Sequence, residues 1–98
     1  KLQAYHGAEI PYAFDTADDW LPGDDVDKAL SNTMLSYWTN FVKTGDPNGA
    51  GLPQWPLYDE TLRSYQGLGD TVVSGDHLDA PQCELINSIW NENLALAE

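Results

Sequence analysis

The longest periodic pattern of apolar residues in the chain runs through residues 26–43. Every fourth position is apolar there, and this spacing places the apolar side chains on one face of an α-helix. Asp24 or Asp25 can cap the N-terminus of this helix, and Gly45 followed by Pro47 can end it. The pattern therefore predicts a helix over residues 26–43 with a core-facing stripe. The stripe consists of Val26, Leu30, Met34, Trp38 and Val42, with Ala29, Tyr37 and Phe41 beside it.

A second and weaker apolar stripe predicts another helix over residues 81–97. Between the two helices, residues 45–56 are rich in Gly and Pro, which break regular structure and indicate turns. Residues 57–74 can form a small pair of strands around the sequence GLGD at 67–70. The stripe of the second helix consists of Cys83, Ile86, Ile89, Trp90 and Leu94.

The segment before the first helix is short and irregular in pattern. Residues 1–5 are compatible with the end of a strand, and residues 7–14 predict a turn of helix followed by irregular chain, because Pro11 limits a helix to about its first turn. Residues 15–25 hold five aspartates together with Pro22 and Gly23, which is loop composition. The acids do not alternate as in an EF-hand loop, and no glutamate closes one, so a solvated loop is preferred to a calcium site.

Composition and charge narrow the class of protein. A chain of 98 residues forms at most one small domain, and 42% hydrophobic with 20% charged residues is typical of globular proteins. The net charge of −12 disfavours nucleic acid and anionic membrane surfaces as partners. No apolar run approaches the ~20 residues that span a bilayer. These features predict a soluble protein, cytoplasmic or secreted, without a nucleic-acid or membrane partner.

Side chains that could carry chemistry are few. Nucleophilic hydrolysis needs a nucleophile, a base and an orienting acid, but none of the five serines lies in a G-x-S-x-G elbow. The single cysteine, Cys83, is either a buried free thiol or the partner of a cysteine on another segment. His6 and His77 lie far apart and outside any Cys/His cluster, so no metal or cofactor site is predicted. A lone histidine such as His6 is more often structural or solvated than catalytic.

Four blocks of the sequence, in order, resemble type B carboxylesterases and cholinesterases. Residues 4–14 (AYHGAEIPYAF) look like the stretch that bears the catalytic histidine of that family. Residues 37–48 (YWTNFVKTGDPN) are similar to its downstream helix and turn, and residues 52–58 (LPQWPLY) resemble its next segment. Cys83, with the apolar helix that ends near Trp90 and Leu94, looks like its C-terminal helix. The resemblance spans nearly the whole chain.

The resemblance implies the α/β class and the α/β-hydrolase fold, a mostly parallel sheet flanked by helices. This segment of the fold is expected to be mainly helical and irregular, with a small strand pair. Because the triad of α/β-hydrolases follows the order Ser, Asp or Glu, His, a C-terminal segment carries only the histidine. Residues 1–98 are therefore expected to be the C-terminal portion of a carboxylesterase domain, with the serine elbow, the triad acid and the oxyanion hole upstream.

The resemblance also implies roles for individual residues. His6 matches the catalytic base, and Gly7, without a side chain, lets backbone pass close to the site. Glu9 matches a glutamate that supports the histidine loop, and it is not the triad acid, which precedes the histidine in sequence. His77 matches no block and is expected in solvent. Cys83 matches a disulfide position of secreted cholinesterases, whose partner lies upstream and which many bacterial members lack.

The implied function is hydrolysis of small-molecule carboxylic esters without a cofactor, by a general carboxylesterase rather than a choline esterase. Its partner is the N-terminal portion of the same esterase, and the chain alone is expected to be inactive. One alternative is a cholinesterase-like adhesion domain that has lost the nucleophile, although the intact block around His6 argues against it. Another is an autonomous acidic binding domain, which would melt cooperatively on its own.

Overall fold

Helices and one strand pair make up the part of the chain that the computed structural model describes, residues 5–17 and 23–96. The mainly helical and irregular character expected of the segment is confirmed. Residues 1–4 of the predicted strand end and residues 18–22 of the aspartate-rich loop lie outside the described residues. In chain order the elements are α1 (Ile10–Phe14), α2 (Asp25–Thr44), β1 (Tyr65–Gly67), β2 (Val73–Gly75) and α3 (Ala80–Leu96).

The helix α2 begins and ends at the predicted signals. Asp24 is the N-cap, and its Oδ1 accepts hydrogen bonds from the backbone N–H groups of Val26 at 2.9 Å and Asp27 at 3.1 Å. Asp27 Oδ2 in turn accepts from the backbone N–H of Asp24 at 3.0 Å, which completes a reciprocal capping box. At the other end Gly45 has φ 78°, and its N–H donates to the carbonyl of Phe41 at 2.8 Å.

The order of turn and helix predicted for residues 7–14 is reversed in the structure. The irregular turn comes first, and α1 begins at Ile10 with Pro11 in its first turn. Proline is well tolerated there because the N–H it lacks would have no acceptor within the helix. Asp15, in the left-handed conformation at φ 50°, ends the helix.

The buried face of α2 differs from the predicted stripe. Ser31, Met34 and Tyr37 are buried, while Val42 is 85% exposed. Trp38 and Phe41, predicted to belong to the core, are both exposed within this chain, and their burial against upstream elements of the esterase stays a prediction. Ser31 and Tyr37 are buried because α1 packs on the face of α2 that carries Ser31, and the loop after α2 reaches Tyr37 on the same side.

The strand pair confirms the prediction of a small sheet in this region. The strands β1 and β2 are antiparallel, and Tyr65 pairs with Gly75. A Cβ on Gly75 would lie 2.6 Å from the ring and hydroxyl of Tyr65, so a side chain at this position would have to displace the end of the Tyr65 side chain. His77 follows the sheet in an exposed turn with φ 56°, as expected from its polar surroundings.

The helix α3 has no buried residue and packs against none of the other described elements. The radius of gyration is accordingly 17.4 Å, compared with roughly 13 Å for a folded domain of about this length. Cys83 on α3 is an exposed free thiol within this chain, which does not fit the first of its two alternatives, a buried thiol, and pairing with a cysteine on another segment stays a prediction. Among the described helices, none is long and apolar enough to cross a membrane.

Candidate functional site

His6 lies in a tight turn immediately before α1. The turn is closed by backbone hydrogen bonds from Ala8 N to Tyr5 O at 3.0 Å and from Ile10 N to Gly7 O at 3.2 Å. Gly7 has φ 84°, a conformation that residues with a Cβ rarely adopt, so the turn itself requires glycine. A Cβ there would make only ordinary contact, 3.6 Å from Ile10 Cδ1. The positive φ, rather than a close backbone approach, therefore explains Gly7 within this chain.

The histidine is open to solvent and to incoming groups. His6 is exposed, and no hydrogen bond joins its imidazole to another residue in the described part of the chain. Glu9 is also exposed, and its carboxylate makes no hydrogen bond to the ring within this part. Its backbone carbonyl accepts a hydrogen bond from Ala13 N at 2.9 Å instead. The turn thus exposes an imidazole, which can act as a base. Among residues 5–17 and 23–96, no nucleophile or acid is hydrogen-bonded to this ring.

Four of the five serine hydroxyls, all in the described segments, donate hydrogen bonds that serve the local structure. Ser31 Oγ donates to the Tyr12 carbonyl at 2.8 Å, and Ser36 Oγ donates to the carbonyl one helical turn earlier at 2.8 Å. Ser64 Oγ donates to the carboxylate of Asp76 at 2.8 Å, and no histidine ring accepts from it within the described residues. None of these arrangements resembles an activated nucleophile, which needs a base as its hydrogen-bond partner.

Two hydrogen bonds fix α1, and with it the histidine turn, to α2. Tyr12 Oη donates to Asp27 Oδ1 at 2.7 Å, and the buried Ser31 donates to the Tyr12 carbonyl. The hydrogen bond to the Asp27 carboxylate raises the pKa of Tyr12 above its ordinary value, and burial and the nearby negative charges act in the same direction. Sequence reasoning missed this connection. Its only signal was a polar Ser31 one turn before the buried Met34.

An open aromatic groove lies elsewhere, between the second half of α2 and the loop after it. Its volume is about 920 Å³, and Trp55 is one of the residues that line it. The ring of Trp55 lies 5.2 Å from Tyr37 and 6.0 Å from Trp38, measured between centroids. No residue of the histidine turn lines this groove, so the two features are separate.

The described segments contain no cluster of side chains that could bind a metal ion. Within residues 5–17 and 23–96, no group of three or more His, Cys, Asp or Glu side chains is placed to hold a metal ion. Part of the aspartate-rich loop lies outside these ranges.

The sequence matches one family over most of its length. Residues 1–86 match the model of the Carboxylesterase family. The chain is 37% identical to carboxylesterase 5A of Mus musculus over 103 aligned residues, which cover 97% of the chain and 17% of that protein. It is 39% identical to the cocaine esterase of Homo sapiens over 61 residues, which cover 60% of the chain and 11% of that protein. The chain belongs to the carboxylesterase family.

Solved structures give the same fold. A PNB esterase superposes with a TM-score of 0.75 at 30% identity, covering 84% of this chain and 17% of its own. A thermophilic PNB esterase superposes with a TM-score of 0.71 at 28% identity, and the match covers 78% of this chain and 17% of that esterase. The expected α/β-hydrolase fold is confirmed, and the chain spans 17% of the length of these structures.

Proposed function

We propose that the chain supplies the catalytic base, His6, of a carboxylic ester hydrolase. The observation that carries the proposal is the exposed histidine in a hydrogen-bonded turn, inside the region that matches the carboxylesterase family. The imidazole has both ring nitrogens free of partners among the described residues. Such a ring can bind a hydroxyl on one nitrogen and a carboxylate on the other, as a hydrolytic triad requires.

The chemistry follows from neutral imidazole. One ring nitrogen of His6 accepts the proton of a serine hydroxyl as the oxygen attacks the ester carbonyl, and it returns that proton to the departing alkoxide. The same nitrogen then takes a proton from water as the water oxygen attacks the acyl-enzyme carbonyl, and it returns that proton to the serine oxygen as the bond to serine breaks and the acid is released. A carboxylate on the second nitrogen would hold the ring in one orientation. Glu9 would support the turn without acting as that carboxylate.

The serine and the acid would come from the remainder of the esterase, which is the partner of this chain. The chain covers 17% of the length of carboxylesterase 5A, so most of such an enzyme lies outside it. Large apolar side chains on the described surface support a covering partner, because exposed apolar area is costly in water. Val42 is 85% exposed and Trp90 is 65% exposed. By itself the chain would hold one of three triad groups and would be inactive.

The test compares activity with and without the rest of the enzyme. Purified chain, purified N-terminal portion, their mixture and the intact esterase are assayed with a simple aryl ester. We expect turnover only where His6 and the upstream portion are both present. Turnover by the lone chain would contradict the proposal.

A matched pair of variants tests the residue itself. In the intact esterase, His6→Asn should lower kcat by at least about 1,000-fold, the order expected when a triad base is lost. His77→Asn is the control, because His77 is exposed, has a positive φ that Asn tolerates, and is remote from the turn. Equal activity of the two variants would refute the role of His6.

A further inference from the structure

The histidine turn has no internal means of holding its position. It continues directly into α1, a helix of five residues, and isolated helices shorter than about 12–15 residues are marginal in water. The hydrogen bond from Ala13 N to Glu9 O joins the turn to α1, so the two move together. Within the described residues, the contacts that fix α1 to α2 therefore also hold the His6 turn.

The two hydrogen bonds that fix α1 to α2 are both made by one residue of α1, Tyr12. Its hydroxyl donates to Asp27 Oδ1 at 2.7 Å, and its backbone carbonyl accepts from Ser31 Oγ at 2.8 Å. One bond thus holds the tip of the side chain and the other holds the backbone, which restrains both translation and rotation of α1. Pro11 and Ala13 on either side of Tyr12 are buried, while the hydrogen bond from Tyr12 to Asp27 is itself part-buried.

Asp27 is itself immobilised. Its other carboxylate oxygen, Oδ2, accepts the backbone N–H of Asp24 at 3.0 Å as part of the capping box of α2. The same side chain therefore closes the first turn of a 20-residue helix and receives the Tyr12 hydroxyl. A rigid acceptor gives the Tyr12 bond a defined direction, which a flexible surface carboxylate would not.

We propose that Tyr12 and Asp27 are positioning residues that hold the His6 turn at the angle needed for proton transfer. The proposal rests on the proposed function, since it gives His6 a reaction to be positioned for. Neither residue touches the reacting atoms. A displacement of about 1 Å can cost a reaction on the order of 100-fold in rate, so loss of this bond should appear in catalysis.

The experiment uses the intact esterase with Tyr12→Phe, Asp27→Ala, their double variant, and Asp25→Ala as the control. Asp25 lies in the same first turn of α2, but its side chain is exposed and only pairs with Lys28 at 3.7 Å. Stoichiometric acylation counts the active sites, so that kcat is expressed per folded site. We expect Tyr12→Phe and Asp27→Ala each to lower kcat per site by about 10- to 100-fold with little change in KM. Asp25→Ala should match the parent enzyme.

Three further readouts separate positioning from a merely structural role. The acid limb of the kcat/KM profile, which reports the base of the free enzyme, should shift in Tyr12→Phe and not in Asp25→Ala. The double variant should be no worse than Asp27→Ala alone, because Asp27→Ala already removes the bond that Tyr12→Phe removes. Asp27→Asn keeps an oxygen that can accept from Tyr12 and should restore most of the kcat that Asp27→Ala loses.

The outcomes distinguish this proposal from the one on which it rests. If His6→Asn is inactive while Tyr12→Phe keeps the parent kcat per site and pH profile, the positioning role is refuted and the function of His6 stands. A lower count of active sites with unchanged kcat per site would equally refute positioning, since the pair would then only stabilise the fold. If His6→Asn is fully active, both proposals fall.

Discussion

The ring of Tyr37 meets the ring of Trp55 edge-on, with centroids 5.2 Å apart and planes at 84°. Tyr37 is fully buried, and its hydroxyl donates to the carbonyl of Pro53 and accepts from Gln66 Nε2 at 3.2 Å. One side chain of α2 therefore fastens both the loop after the helix and the first strand. Edge-to-face pairs of this kind contribute about 0.5–1.5 kcal/mol beyond their buried area.

Removal of the Tyr37 hydroxyl should destabilise the protein. In Tyr37→Phe the Pro53 carbonyl and the Gln66 amide lose a partner, which should lower the unfolding free energy by about 1–3 kcal/mol. Urea denaturation of the intact esterase measures the change. Tyr58→Phe is the matched control, because Tyr58 is 63% exposed and makes no hydrogen bond within the described residues. Equal midpoints for the two variants would contradict the role of the hydroxyl.

The capping box of α2 should contribute measurably to the stability of the folded protein. Asp24→Ala removes the acceptor for two backbone N–H groups at the helix start, and loss of such a cap costs about 0.5–2 kcal/mol. Asp25→Ala changes charge by the same amount one residue later and removes no cap. Thermal unfolding of the two variants checks the difference, and a larger loss in Asp25→Ala would be the opposite of what the cap predicts.

Stability should fall at alkaline pH in a way that depends on Tyr12. Its pKa is raised in the folded state because the hydroxyl donates to Asp27, while the unfolded side chain titrates near about 10. A raised folded pKa means that the folded state holds the proton more tightly. The stabilisation is complete below about pH 10 and is lost as the pH rises through the folded pKa.

Melting temperatures between about pH 8 and 11 test this dependence, a range that brackets the ordinary tyrosine pKa. The difference in melting temperature between the parent and Tyr12→Phe should be largest at the lowest pH of this range and should become smaller as the pH rises. A constant difference over the whole range would show that ionisation of Tyr12 is not linked to folding. Tyr58→Phe again serves as the control, since its exposed hydroxyl has no partner in the described segments.

The isolated chain should self-associate. The face of α3 that carries Ile86, Ile89 and Trp90 is at least half exposed, and an apolar surface without a cover drives association. Sedimentation velocity should show a mass that rises with concentration. Ile89→Asp should reduce the association, whereas Asn91→Asp on the same exposed helix adds the same charge without removing apolar area. A monomer at all concentrations would contradict the expectation.

Several local features of the fold followed from the sequence alone. The bounds of α2 were predicted because an aspartate cap and a Gly-Asp-Pro stop act within a few residues of the helix ends. The strand pair and the turn at His77 followed from Gly and polar residues in the same way. The order of turn and helix before α2 was predicted wrongly, because Pro11 is as acceptable in the first turn of a helix as beyond its end.

The tertiary structure alone decided which apolar residues are buried and what holds the histidine turn. A helical period defines faces, but the face that becomes buried depends on segments distant in sequence. Tyr12 lies 15 residues from Asp27, and the Pro53 carbonyl lies 16 residues from Tyr37. The sequence by itself determined the local elements and the family, because short-range sterics and hydrogen bonding leave a signature in adjacent residues. It could not determine these pairings, because they form only when the chain folds back on itself.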